Sequence, residues 1–407
     1  MTRTVQKYGG SSVATADHIK RVARLVGDRR RAGEEMVVVV SAMGDTTDDL
    51  IDLSKQISAR PPAREMDMLL STGEIVSSAL LSMALQADGV DAVSLTGAQA
   101  GIRTDAVSGR ARISGIEGDR IQRELAAGRV VIVAGFQGIS DDFDVTTLGR
   151  GGSDTTAVAL AAGINADRCE IYTDVAGIYT ADPRICPSAR PLRDIGYEEM
   201  LEMASTGARV MHARAVEVGA LYGVEIYVKS TFDPSAPGTI IRKETMMEQG
   251  NKVRGIAHES RVAKVTLRGV PDRPGIAAKI FEPLAEAGVS VDTIVQNASI
   301  ERLTDLTFTV APGDRERALE VVNRLNQELG AAEIVSADDL GTVSIIGTGM
   351  ASTPGYAARM FRTLFDQQIN IDMISTSDIR ITCVVAADKV ADAVVALHNA
   401  FELDRQG

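Results

Sequence analysis

The chemistry of this chain is concentrated in VTTLGRGGSDTTA, Val145–Ala157. There Arg150, the pair Gly151-Gly152, Ser153 and Asp154 stand directly before an apolar helical run, Ala157–Gly163. Glycine lets a backbone approach a ligand closely. Arginine grips a carboxylate or phosphate with two parallel hydrogen bonds. Ser153 or Asp154 is expected to cap the following helix, whose amino end attracts anions. An aspartate is out of place in a plain anion site unless it holds a metal or a lysine. The loop therefore points to an anionic small molecule handled by a cation and a catalytic carboxylate.

A lysine is supplied by a second glycine motif, VQKYGGSSVA at Val5–Ala14. Lys7 ends an apolar strand. From there it can reach phosphates that the backbone of Gly9, Gly10, Ser11 and Ser12, with the next helix end, cradle. Glu74, in STGE at the expected head or first turn of an amphipathic helix, can bind an ammonium. No GxxxxGK[ST] loop is present, which excludes a Walker-type ATPase. Gly347-Thr348-Gly349 lacks the third glycine of a dinucleotide fingerprint.

These residues need a scaffold that presents strand ends. Up to about Ile241 the chain alternates β-rich runs with amphipathic helices. Strands are expected over Thr2–Lys7, Val37–Ser41, Ala92–Leu95, Val130–Ala134, Glu170–Thr173 and Glu225–Lys229. Helices are expected over Ala16–Arg31, Met66–Ala87, Asp119–Ala127, Thr155–Ala162 and Ala208–Leu221. Such alternation predicts an α/β sandwich with a mainly parallel sheet, and ligands outside the carboxyl ends of its strands. His212 falls in the last helical pattern and reads as a packing or capping residue.

Arg242–Lys252 is charged, lacks period and reads as a linker. Beyond it the chain repeats itself: PGIAAKIFEPLAEAGVSVDTI (Pro274–Ile294) recurs 80 residues later as PGYAARMFRTLFDQQINIDMI (Pro354–Ile374). Gly275, Ala277, Ala278, Phe281, Leu284, Asp292 and Ile294 are all repeated. Each copy follows the βαββαβ pattern of a ferredoxin-like unit. The second copy lacks a convincing last strand, while Val253–His258 is an unassigned strand ahead of the first. Donating that strand to the second copy would nest one unit in the other; two independent tandem units are the alternative.

The 407 residues, 45% hydrophobic and 24% charged, describe a globular protein of two or three domains. A net charge of −12 argues against nucleic acid or an anionic membrane as partner. The longest uninterrupted apolar runs, such as Met36–Val40, are of strand length. Cys169, Cys186 and Cys383 lie far apart, as expected of reduced cytoplasmic residues, and suggest neither a zinc site nor a disulfide framework.

With SAMGDTTD (Ser41–Asp48) and YTDVAGIYTADPR (Tyr172–Arg184), the motifs closely resemble aspartate kinase, of the amino-acid kinase superfamily. The paired tail resembles the ACT domain, an amino-acid-sensing module. The resemblance implies a catalytic domain over 1–245, a first ACT-like domain over 261–337, and a second built from 253–258 with 341–407. It implies transfer of the γ-phosphoryl group of ATP to the β-carboxylate of L-aspartate, the first step toward lysine, threonine and methionine. Lys7 and Asp154 become the catalytic pair, with Asp154 orienting Lys7. Ser41, Thr47, Glu74, Arg150 and Ser153 become substrate residues.

On the nucleotide side, Lys7, Gly9, Gly10 and Ser11 are joined by Thr173, Asp174, Tyr179, Asp182, Arg184, Lys229 and Ser230. Magnesium is expected to arrive on the nucleotide phosphates, with no dedicated protein metal site. Many relatives carry Asp where this chain has Ala176, and His-Pro-Arg where it has His212-Ala213-Arg214. Neither departure removes a catalytic charge.

The ACT pair implies feedback by lysine, threonine or both. The effector would sit on the turn Asp272, Arg273, Pro274, Gly275, Ile276 and Ala277, with the amides of Gln296 and Asn297. In the second copy Thr376-Ser377 replace those amides, so the copies are not expected to bind one ligand equally. Met246-Met247 offer an internal start for a regulatory chain able to fold alone, giving a mixed assembly; a homo-oligomer is the other expectation. Another amino-acid kinase and a catalytically silent sensor are rival readings. The joint motifs argue against the first, and intact Lys7, Glu74, Arg150 and Asp154 against the second. The length argues against a fused homoserine dehydrogenase.

Overall fold

Strands β1 (Arg3–Tyr8) and β2 (Glu35–Val40) explain how the first part of the chain folds. Val37–Val40 are all fully buried, as in a strand covered on both faces. Side chains alternate across a strand. Tyr8, Met36, Val38 and Val40 pack with Ile19 and Val22 of helix α1 (Ala16–Arg31) and Leu81 and Leu85 of α3 (Ala63–Ala87). Val5, Lys7, Val37 and Val39 take the opposite face. There the small residues of α5 (Gly152–Gly163), buried from Gly152 to Ala161, let the helix lie close to the sheet.

The computed structural model describes residues 1–208, 210–233, 235–243, 252–298 and 302–405. They divide into two compact units. The first takes in Met1–Tyr179, Pro191–Ser205 and 210–243. Its remaining strands are β3 (Ala92–Leu95), β4 (Ile102–Thr104), β5 (Ile113–Ile116), β6 (Val130–Ala134), β7 (Gln137–Ile139), β8 (Val145–Thr147), β9 (Arg168–Thr173), β10 (Asp194–Gly196), β11 (Ile226–Ser230) and β12 (Thr239–Arg242). Eight of the unit's strands form a sheet in the order β10-β12-β11-β9-β1-β2-β6-β3, parallel except at β11–β12. A four-stranded sheet, β5-β4-β7-β8, lies in the same unit. Helices α2 (Thr46–Ile57), α4 (Asp119–Ala126), α6 (Tyr197–Ser205) and α7 (Ala213–Tyr222) complete it.

Three local expectations are corrected. The helix expected from Ala208 starts at Ala213, with His212 in an extended conformation at its N-cap. Neither Ser153 nor Asp154 caps α5. The cap is Gly151, in a left-handed conformation (φ 68°), and both side chains lie in the first helical turn. Glu74 is in the middle of α3, which begins at Ala63. By length and composition α3 is long and apolar enough to cross a membrane, and half of its most apolar stretch is buried.

The second unit contains Thr180–Arg190, Thr206–Ala208 and 252–405. Its strands are β13 (Gly255–Pro271), β14 (Val291–Ala298), β15 (Leu303–Val310), β16 (Glu333–Ile346), β17 (Met373–Thr376) and β18 (Arg380–Ala386). They form one antiparallel sheet in the order β14-β15-β13-β16-β18-β17. The long strands β13 and β16 run through both repeats. Gly255–Glu259 pairs with Thr342–Ile346 in the second repeat, and Lys264–Arg268 pairs with Glu333–Ala337 in the first. Register shifts between Glu259 and Lys264 mark the changeover.

Helices α8 (Ile276–Glu286) and α9 (Arg315–Leu329) cover the first repeat; α10 (Tyr356–Asp366) and α11 (Val390–Ala400) cover the second. Ala181 and Cys186, from the segment Thr180–Arg190, are part of the second repeat's core. His398 of α11 is fully buried between Thr180 Oγ1 (2.9 Å) and Ser188 Oγ (3.4 Å). Met246 and Met247 lie outside the described residues.

Candidate active site

A cavity of about 670 Å³ opens in the first unit where β1, β2 and β6 end. Alternation along β1 aims Lys7 at α5, away from Gln6 and Tyr8, and its Nζ lies 2.7 Å from Asp154 Oδ1. Only 12% and 11% of these side chains are exposed, so the pair is shielded from bulk water but open to the cavity. Asp154 pairs with the lysine by charge, and both side chains line the cavity.

Glu74 reaches the cavity from α3. Its Oε1 accepts the Ala42 backbone N–H at 3.1 Å, while Oε2 is buried without a hydrogen-bond partner. Burial pushes its carboxyl up to about 7, against the lowering effect of that hydrogen bond. An unpaired buried carboxylate oxygen is costly, and a ligand ammonium is the group that would satisfy it. Gly73 allows this approach: a Cβ there would stand 2.8 Å from Ala42 Cβ.

Arg150 is exposed and lines the same cavity, as do Ser41, Thr47 and Ser153. Its loop has little freedom. Gly149 and Gly151 have φ of 78° and 68°, and a Cβ on Gly151 would strike His212 at 2.2 Å. Side-chain-free backbone is thus required on both sides of the arginine.

The nucleotide-side residues lie along neighbouring parallel strands. Lys229 pairs with Tyr172 and Ser230 with Thr173 across β11–β9, and Lys7 pairs with Ile171 across β1–β9. Gly9-Gly10-Ser11, Thr173-Asp174 and Lys229-Ser230 therefore lie at the same, carboxyl end of the sheet's strands. Ser12 Oγ bonds to Thr231 Oγ1 (2.7 Å) and the Thr231 N–H donates to Thr173 O (2.9 Å). Tyr179 is half-buried and bridges to Pro191. Asp182 and Arg184 fall in the second unit, where Arg184 Nη2 donates to Asp182 Oδ2 at 2.7 Å.

In the second unit, Gly275 (φ 88°) caps α8 at the end of the Asp272–Ala277 turn. Register through β15 puts Gln296 and Asn297 at the same end of the sheet as that turn.

Two residues bearing on the site were given no role by motif reading, Arg214 appearing there only within His212-Ala213-Arg214. Asp67 is fully buried on α3 and lines the cavity. Arg214, on α7, donates to the Leu148 and Ala111 carbonyls. Asp67 stands seven residues before Glu74, two helical turns away on one face. That spacing was the available signal.

Residues 2–230 match the amino acid kinase family, and 265–330 and 343–401 each match an ACT domain. An aspartokinase from Mycolicibacterium smegmatis is 50% identical over 408 residues, covering 99% of this chain and 97% of that one. The chain belongs to the aspartokinase family. The solved structure of E. coli aspartokinase III in complex with aspartate and ADP superposes with a TM-score of 0.81 at 27% identity, covering 98% of this chain and 99% of that one. The same aspartokinase with lysine and aspartate gives a TM-score of 0.76 at 27% identity and the same coverage.

Proposed function

We infer that this aspartokinase transfers the γ-phosphoryl group of ATP to the β-carboxylate of L-aspartate, giving 4-phospho-L-aspartate. The observation that carries the reading is the unpartnered Oε2 of Glu74 in the same cavity as Lys7 and Arg150. One receptor for an ammonium and one for a carboxylate there adjoin a phosphate-binding glycine turn.

The nucleophile needs no protein base, since a free aspartate carboxyl has a pKa near 3.9. The obstacle is repulsion between anions, roughly 4 kcal/mol for each pair of unit charges at 4 Å and an effective dielectric of 20. Positioning and fixed positive charge must overcome it. Lys7, held by Asp154, supplies charge at the transferring phosphoryl group. Arg150 clamps a substrate carboxylate, Glu74 takes the ammonium, and Ser41, Thr47 and Ser153 orient the rest. The ends of β1, β9 and β11 carry the nucleotide through Gly9, Gly10, Ser11, Thr173, Asp174, Lys229 and Ser230. Tyr179 continues the segment that follows β9.

Among the described residues no group of three or more His, Cys, Asp or Glu is placed to hold a metal ion. Magnesium would be carried on the nucleotide phosphates, where it neutralises charge. The reading extends to a cytoplasmic enzyme, feedback by lysine, threonine or both at Asp272–Ala277 with Gln296 and Asn297, and a homo-oligomer or an assembly with a chain begun near Met246 or Met247. Intact mass of the complex purified from the native gene separates those two assemblies.

A coupled assay of ADP release tests the chemistry. Aspartate should be turned over with ATP and magnesium, glutamate poorly, and lysine or threonine should inhibit. Equal turnover of glutamate, or none of aspartate, overturns the assignment.

A further inference from the structure

Two buried carboxylates, Asp67 and Glu74, project from the same face of α3, and they differ in what their oxygens do. Glu74 keeps one oxygen without a protein partner. Asp67 keeps none: the Gly109 N–H donates to Oδ1 at 2.9 Å and to Oδ2 at 3.0 Å, and the Thr147 hydroxyl donates to Oδ1 at 2.5 Å. Although it lines the cavity, both oxygens of Asp67 are engaged by protein donors, and it joins two strips of backbone.

Those strips run side by side. The Ala111 N–H donates to Thr147 O at 2.9 Å, and a Cβ on Gly149 would come within 3.2 Å of Gly109 O. Arg214 closes the pair from the other end, with Nη1 on Leu148 O (2.5 Å) and Nη2 on Ala111 O (2.9 Å). Thr147 and Leu148 are thus pinned from two directions, and Arg150 follows two residues later. Arg150 itself is exposed and has little packing of its own, so its location is inherited from this brace.

We propose that Asp67 and Arg214 are positioning residues that hold the Gly109–Ala111 and Thr147–Leu148 strips together and so place Arg150 for the substrate carboxylate. Neither touches the reacting atoms. Each acts through the loop, on aspartate capture and not on the Lys7–Asp154 pair. The proposal rests on reading the cavity as the aspartate site.

Steady-state kinetics of the full-length protein test it. Asp67→Ala and Arg214→Met should each raise the KM for aspartate about tenfold or more, with kcat within about threefold and the KM for ATP within about twofold. Asp67→Asn, which keeps one acceptor oxygen, should recover part of the loss. Thr147→Val should raise the aspartate KM less than Asp67→Ala does, and adding it to Asp67→Ala should change little, because the two remove one shared bond.

A fall in kcat at unchanged aspartate KM overturns the proposal, as does an equal rise in both KM values or additivity of Asp67→Ala with Thr147→Val. Hydrogen exchange without substrate separates this from a wrong functional reading. Amides of 109–111 and 147–152 should exchange faster in Asp67→Asn and Asp67→Ala, while those of β1 stay as in the wild type. If the wild type fails to turn over aspartate, the functional reading falls and the exchange result still decides the tether. Unchanged exchange refutes it. If Asp67→Ala does not fold, Asp67→Asn and Thr147→Val carry both measurements.

Discussion

Strand β1 carries a buried ion-pair system on each face, and the two are built to opposite rules. On one face Gln6 Nε2, the Arg29 guanidinium and the Tyr172 hydroxyl all donate to Glu170, and Tyr8 donates to Gln6. Arg29 also grips Glu34 at 2.6 Å, and Tyr8 stacks on Tyr172 at 4.8 Å. Burial raises both tyrosine hydroxyls well above their ordinary pKa, so they stay protonated donors. On the other face, Lys7 and Asp154 meet in a cavity with a second carboxylate whose oxygen has no partner. A network with every bond made rigidifies a fold. A constellation with bonds left open at a cavity is prepared for a ligand, and the protein bears the cost until one arrives.

Removing a charge from the closed face should have the largest effect. Glu170→Ala takes away the acceptor that Gln6, Arg29 and Tyr172 share, and although Arg29 keeps Glu34 it should destabilise the fold by about 3 kcal/mol. Its kcat at a temperature where it is folded should stay within a few-fold of wild type. Denaturant titration beside kinetics checks this, and a stable but inactive variant would erase the distinction between the faces.

The open face should respond inversely. Lys7→Ala and Asp154→Ala are each expected to lower kcat by about 10²-fold, near 2.7 kcal/mol, with melting unchanged. Wild-type turnover in either would remove that residue from the chemistry, whereas Arg150→Ala should act mainly on the KM for aspartate.

The third contrast is a matter of pH. The Glu74 carboxyl lies at about 7 in the fold, above its ordinary 4.5. A raised carboxyl contributes stability that is present below the unfolded pKa and lost as pH rises through the folded one. Glu74→Gln should therefore stabilise the ligand-free protein at pH 8 and leave it unaffected at pH 4. In the wild type the KM for aspartate should rise about tenfold for each pH unit below 7, as the ammonium loses its counter-charge. A flat KM profile between pH 5.5 and 8 would mean that Glu74 does not meet the ammonium.

Residue patterns made the parallel sheet legible because strands such as Val37–Val40 are apolar throughout, and the repeat exposed the ferredoxin-like tail through Gly275, Phe281 and Leu284. Within the cavity, Lys7, Glu74, Arg150 and Asp154 could be collected because each sits in a glycine- or serine-rich motif at a strand or helix position. Asp67 escaped because PAREMDMLL looks like an ordinary helix start; its partners Gly109 and Thr147 are 42 and 80 residues away. The cap of α5 was misjudged for a related reason. Ser153 and Asp154 are good capping residues in isolation, but the left-handed Gly151 ends the loop first and releases both side chains toward the cavity.

The segment Thr180–Arg190 has a consequence for how the chain is made. It is synthesised well ahead of 252–405, yet Ala181 and Cys186 are buried in one core with Val253, Ile256, Leu397 and Phe401. A growing chain must hold this plug exposed until the last helix has emerged. A product begun at Met246 or Met247 never possesses it. Such a product would carry both repeats but leave His398 without its two hydroxyl partners and an apolar socket open to water. Translation start, and not sequence content, would then decide whether this core is born complete or in need of a neighbour's segment.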